Sequence, residues 1–348
     1  MLTRRALLAA ALQAGSRQTE LAIDGERFLI NNKPTYAGRT WRGHKIEGLL
    51  LNTRMVQGIF DDRNPATTAN WQYADTKTWD PARNTREFVA AMPEWRKQGV
   101  LGITLNMQGG NPRGYSPQQP WNTGAFTPRG DIIPEYLNRL RAILDRADEL
   151  GMAPILGVFY FGQDQVLEDD KAVRRALKNT VEFVLSREYR NVLLEVANEC
   201  NNAKYNHDIL RPDLMPLLIQ EAQAITYHRR RLPVGVSFNG NTLPPPEITR
   251  LSDFVLLHGN GVKDPARIGQ MVRAVRKQDG YRPKPILFNE DDHFDFDKPA
   301  NNYVAAVAEY ASWGLLDIEG YQSVPVNWGI DTDRKRAYFQ LTREITGS

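Results

Sequence analysis

Two mostly apolar runs of this sequence end in the same dipeptide. Val192-Leu193-Leu194-Glu195-Val196-Ala197 leads into Asn198-Glu199, and Pro285-Ile286-Leu287-Phe288 leads into Asn289-Glu290. A carboxylic acid can give a proton to a leaving oxygen, and a carboxylate can attack carbon or take a proton from water. Two such groups held about 5 Å apart can cleave a glycosidic bond with retention, one protonating the leaving oxygen while the other attacks the anomeric carbon. Either glutamate alone reads as a salt-bridged loop carboxylate. The repetition makes Glu199 and Glu290 a candidate pair. Such a cycle needs one carboxyl neutral and the other ionised at its start, and partial burial beside negative charge would raise one and leave the other low.

The elements around them must bring the two together. Short apolar runs at Met55–Phe60, Val100–Asn106, Ala153–Phe161, Val192–Ala197, Pro233–Phe238, Asp253–Leu257, Pro285–Phe288 and Tyr321–Val326 have the character of strands. Helix-period segments fall between them, at Thr85–Gln98, Ile133–Leu150, Lys171–Ser186, Leu214–Arg230, Pro265–Gln278 and Asn301–Ser312. Within Ile133–Leu150 the apolar residues 133, 137, 140, 144, 147 and 150 form a core-facing stripe. Strand–helix alternation implies parallel strands with right-handed crossovers. Eight such strands predict an α/β fold of the (β/α)8 TIM-barrel kind, and no Gly-x-Gly-x-x-Gly follows the first strand to suggest a dinucleotide site. About a dozen residues including Pro244-Pro245-Pro246 join the fifth and sixth strands, so the fifth helix should be short. Residues 21–36 predict a small β-hairpin before the barrel. Glu199 and Glu290 then end strands four and seven, about three βα units apart, across the barrel mouth. The long loops Asp61–Trp79 and Gly109–Gly130 follow strands one and two on that same face.

Composition removes other classes. The chain has 348 residues with 44 Lys and Arg against 41 Asp and Glu, a balance of +3 that argues against a nucleic acid or membrane partner. The run His228-Arg229-Arg230-Arg231 reads as a solvated helix C-terminus. With a single cysteine, Cys200, no intrachain disulfide can form, and the five histidines lack metal-binding spacing; no metal or other cofactor is expected. No strand ending carries a lysine for Schiff-base chemistry, and Asp291–Ala300 is acidic where a phosphate site would be glycine-rich. Residues 1–15, with Thr3-Arg4-Arg5-Ala6-Leu7-Leu8, look like a twin-arginine export signal, which would place a catalytic domain of residues 16–348 in the periplasm or outside the cell.

On the Asn198-Glu199 pair and Glu290 the sequence resembles the clan A glycoside hydrolases, especially the family 5-like cellulases and mannanases. The hairpin sequence Phe28-Leu29-Ile30-Asn31-Asn32-Lys33-Pro34 is similar to one that often precedes such barrels. The resemblance implies a retaining glycosidase acting on an oligo- or polysaccharide, with Glu199 as acid/base, Glu290 as nucleophile and Asn198 on the sugar 2-hydroxyl. It further implies that His258, at the end of strand six, is the family's active-site histidine. Trp328, after strand eight, would be the ring on which the sugar stacks. Asn239, Asn106, Gln108 and Tyr160 are polar strand-end groups suited either to substrate contact or to loop scaffolding. Three departures stand out. The stretch Gly102–Asn106 lacks the arginine usual on strand two, Asn260 stands where a tyrosine follows the histidine, and Cys200 replaces a proline. The alternative is a non-catalytic carbohydrate-binding barrel descended from such an enzyme.

Overall fold

A computed structural model describes residues 17–348, so the expected export signal lies outside the described residues. The barrel strands are β1 (Asn52–Arg54), β2 (Gly102–Asn106), β3 (Ala153–Tyr160), β4 (Leu193–Asn198), β5 (Val234–Gly235), β6 (Val255–His258), β7 (Ile286–Glu290) and β8 (Gly314–Leu315). Each is followed by its helix: α1 (Pro81–Lys97), α2 (Pro134–Leu150), α3 (Asp170–Ser186), α4 (Met215–Ala224), α5 (Pro246–Leu251), α6 (Pro265–Arg276), α7 (Asn302–Ala308) and α8 (Asp333–Thr346). Strands β1 to β5 form a continuous parallel ladder, β6 pairs with β7, and β8 pairs with β1. Two links complete the ring. Asp253 N–H donates to the Val234 carbonyl at 2.8 Å between β5 and β6, and Ser312 bridges β7 to the approach of β8. The expected (β/α)8 barrel is the fold, with the fifth helix reduced to six residues.

Local sequence accounts for the helices. Asp169 caps α3 by accepting the Ala172 N–H at 2.8 Å, and Val173, Ala176, Leu177, Thr180, Val181 and Val184 bury one stripe of it. Helix α2 ends at Gly151, whose φ of 67° gives the left-handed cap. The expected hairpin is present, Leu21–Asp24 pairing antiparallel with Arg27–Ile30. Its Phe28 packs with Leu50, Leu101, Ile155, Leu193 and Leu287, so the hairpin plugs the lower end of the barrel. Among the described residues no helix is long and apolar enough to cross a membrane.

Three expected elements shift. Met55–Phe60 is buried but is turn and coil after β1, and β1 itself is the polar triplet Asn52-Thr53-Arg54. Tyr321–Val326 is not strand eight. That strand is Gly314–Leu315, and Ile318–Gln322 forms a helical turn beyond it. In both places an apolar loop packed on the core outweighs the short true strand in hydrophobicity. Helix α4 stops at Ala224, so His228-Arg229-Arg230 is no helix end. It forms a tight turn closed by Tyr227 and Arg230, with His228 and Arg229 at positive φ.

Candidate active site

Four charged side chains converge where the strands end. Arg54, His258 and Glu290 are the last residues of β1, β6 and β7, and Glu199 follows the last residue of β4. A register shift after Leu257 sets His258 opposite Glu290 in the β6–β7 pair. Glu199 has a φ of 50°, a left-handed conformation that costs a non-glycine residue about 1 kcal/mol or more. The neighbouring strand holds it there: Ser237 Oγ accepts the Glu199 N–H at 2.9 Å, and the Ser237 carbonyl accepts the Cys200 N–H at 3.0 Å. The Glu199 carbonyl accepts the Asn202 N–H at 2.8 Å.

The two candidate carboxylates sit close together, 8% and 6% exposed. One oxygen of Glu199, one oxygen of Glu290 and a ring nitrogen of His258 all lie within 4.8 Å of one another. His258 Nδ1 is 3.0 Å from Glu199 Oε1 and 3.6 Å from Glu290 Oε2. Arg54 Nη1 is 2.8 Å from Glu290 Oε2. Such spacing is within reach of a single cation, yet Arg54 and His258 already supply positive charge beside both carboxylates, which suits proton transfer better than metal binding.

Charge and burial compete in this cluster. Burial pushes the Glu199 carboxyl up, but the hydrogen bond and charge of His258 and the charge of Arg54 outweigh it, leaving Glu199 below its ordinary value. Burial pulls the His258 imidazole down, while the charge of Glu290 and the hydrogen bond and charge of Glu199 carry it above its ordinary value. Both shifts favour a His258–Glu199 ion pair over the neutral resting Glu199 that an acid/base role calls for. Beneath them Glu195, fully buried on β4, accepts from Ser237 Oγ and from Asn289 Nδ2 at 3.3 Å. Burial raises its carboxyl toward the neutral form.

The other expected residues divide. Asn198 is buried beside Glu199, and its amide finds no partner among the protein's own groups. Asn106 ends β2 in the same condition and crowds the Cα of Gly157, where a side chain would collide with it. Tyr160 ends β3, close enough for the charges of Arg54, Glu290 and Glu199 to act on its hydroxyl. Asn239 lies beyond the short β5, its Oδ1 accepting from Asn202 Nδ2 at 3.3 Å. Gln108 is committed to scaffolding: its Nε2 donates to the Gln163 carbonyl at 3.1 Å and its Oε1 accepts the Tyr160 N–H at 3.0 Å. Trp328 is not brought to the cluster. It is 2% exposed, stacks on Tyr321 against α1, and donates from Nε1 to Asn84 Oδ1 at 3.0 Å. The misplaced eighth strand explains that error.

Sequence reasoning missed two of the closest neighbours of Glu290. The arginine absent from strand two is supplied by β1 as Arg54, and the run Leu49-Leu50-Leu51 before Asn52 is the signal that would have found it. Asn260, where a tyrosine was expected, donates its amide to Glu290 Oε1. A tyrosine does arrive, from another loop: Tyr115 donates to Asp292 Oδ2 at 2.7 Å, its hydroxyl 3.5 Å from Asn260 Nδ2.

No family model matches the chain, and no curated relative does. Solved structures do. An endo-1,4-beta-mannanase from Rhizomucor miehei aligns over 94% of this chain and 99% of its own, at 10% identity and a TM-score of 0.58. A beta-glucanase from Saccharophagus degradans in complex with cellotetraose aligns over 96% of each chain, at 14% identity and a TM-score of 0.55. A candidate glycoside hydrolase from Bacteroides vulgatus aligns over 95% of this chain at 14% identity and a TM-score of 0.58; the chain spans 62% of that protein's length. The chain thus shares the barrel fold of these glycoside hydrolases.

Proposed function

We propose that the protein is a retaining glycoside hydrolase with Glu290 as nucleophile and Glu199 as acid/base. The observation that carries this reading is the approach of the two carboxylates at the barrel mouth to within 4.8 Å, oxygen to oxygen. Retention calls for carboxyl groups about 5 Å apart, whereas inversion needs room for a water between them. Arg54 and the Asn260 amide hold and aim the Glu290 carboxylate. The Glu290 carboxylate attacks the anomeric carbon as the bond to the leaving oxygen breaks. Its negative charge is consumed in the ester. His258 then loses an anionic neighbour that raised its proton affinity, and its proton passes through Glu199 to the leaving oxygen. In the second half Glu199 takes a proton from water, the water oxygen displaces Glu290, and the returning charge restores the proton to His258. The unpartnered Asn198 amide offers a donor to a sugar hydroxyl beside the reacting carbon.

The neighbours' names, a beta-mannanase and a beta-glucanase bound to cellotetraose, make β-linked hexose chains the first substrates to try. The test uses aryl glycosides of such sugars. Glu290→Ala abolishes turnover, and added azide restores it as a glycosyl azide of inverted configuration. Glu199→Ala keeps activated aryl leaving groups and loses poor ones. Full activity in either variant contradicts the assignment.

A further inference from the structure

The loop Gly109–Gly124, between β2 and α2, is tied to almost every other rim of the barrel. On one side Gln322 Nε2 donates to the Asn111 carbonyl at 3.0 Å, and the Val324 N–H to that of Pro112 at 3.3 Å, joining it to the loop after β8. Gly114, at φ 68°, presses so closely on Ile318 that any side chain there would collide. Asn64 and Asp62, after β1, bond to Pro120 and Asn122 at 2.6 and 2.9 Å. On the other side Lys204, after β4, donates to the Pro117 carbonyl at 3.1 Å, and Gln119 lies against Gly162 after β3. The tip then reaches the far side. Tyr115 donates to Asp292 after β7, contacts Asn260 after β6, and Asp292 Oδ1 in turn accepts the Gly261 N–H at 2.8 Å.

In an eight-stranded ring β2 and β6 are diametrically opposed, so a loop rising from β2 cannot touch Asn260 without crossing the mouth. Six of the seven other rim loops thus hold it down, and residues 236–245 after β5 make no hydrogen bond to it. Tyr115 itself stays 63% exposed, an aromatic strut above Glu290 rather than a core residue. A glycan cut in its interior must leave the catalytic pair in two directions. The roof leaves one.

Building on the proposed glycosidase reading, we infer that Gly109–Gly124 roofs the Glu199–Glu290 pair and opens it only beside β5, so that the enzyme takes glycan chains by an end and trims them there. Tyr115, through Asp292 and Asn260, is the specificity-determining contact that holds the roof across the mouth.

The experiment compares viscosity loss with new reducing ends on a soluble β-glucan and a β-mannan, alongside turnover of aryl glycosides by the same wild-type protein. Chain-end attack gives one short product from the first turnovers, with viscosity falling only as product accumulates. A ladder of intermediate lengths with early viscosity loss, in a protein that does cleave aryl glycosides, overturns the roof and leaves the glycosidase standing. Failure on every glycoside overturns both. In a variant with residues 113–118 replaced by two glycines, and independently in Tyr115→Ala, internal cuts rise about tenfold relative to terminal ones. An unchanged ratio in the folded Tyr115→Ala protein also overturns the inference.

Discussion

At the lower end of the barrel Phe28 of the N-terminal hairpin packs among Leu50, Leu101, Ile155, Leu193 and Leu287, and the buried side chains of this cluster are apolar. At the upper end the buried side chains are Arg54, Asn106, Asn198, Glu195, His258 and Glu290, and several of their polar atoms find no partner within the protein. One end is arranged for stability. The other gathers buried polar groups, several without a partner inside the protein, at the strand ends where catalytic groups of this fold lie.

This contrast predicts opposite outcomes for truncation at the two ends. Phe28→Ala leaves a void in the plug and destabilises the fold by about 3–5 kcal/mol, with kcat of the remaining folded protein unchanged. Urea unfolding and aryl glycoside kinetics measure both. Asn198→Ala does the reverse: kcat/KM falls by about two to three orders of magnitude, as for loss of one donor to a reacting group. Its stability is unchanged or slightly higher, because a buried amide without a partner is removed. If Asn198→Ala unfolds the protein, the mouth is structural and the contrast fails.

A pH-dependent effect, small within any one pH unit, lies just behind Glu290. Asp291 accepts from Trp313 Nε1 at 2.9 Å, from Asn302 Nδ2 and from the His293 N–H at 3.0 Å, yet burial still pushes its carboxyl up to about 7. A raised carboxyl binds its proton more tightly when folded than when unfolded. Its contribution is complete below about pH 4, the unfolded value, and is lost as pH rises toward 7. Stability of the wild type relative to Asp291→Asn should therefore fall across that window, by at most about 1.4 kcal/mol per pH unit. A flat difference means that Asp291 stays ionised.

Most of the barrel was legible in the sequence because β2, β3, β4 and β7 are long apolar runs set between amphipathic helices. The failures fall on β1 and β8, three and two residues long, whose neighbouring loops bury more apolar surface than the strands do. Those slips hid Arg54 and misplaced Trp328. Glu199, Glu290 and His258 were readable because each lies at or one residue past the end of a strand, where sequence position fixes spatial position. Tyr115 was not, since a loop crossing the mouth leaves no periodic signal and its partner Asp292 is remote in sequence.

If Glu199 and Glu290 act as a retaining pair, the stereochemistry of the first product shows it. Proton NMR of wild-type hydrolysis, read before mutarotation, then finds a sugar with the anomeric configuration of the substrate. Appearance of the opposite anomer first rules the retaining pair out.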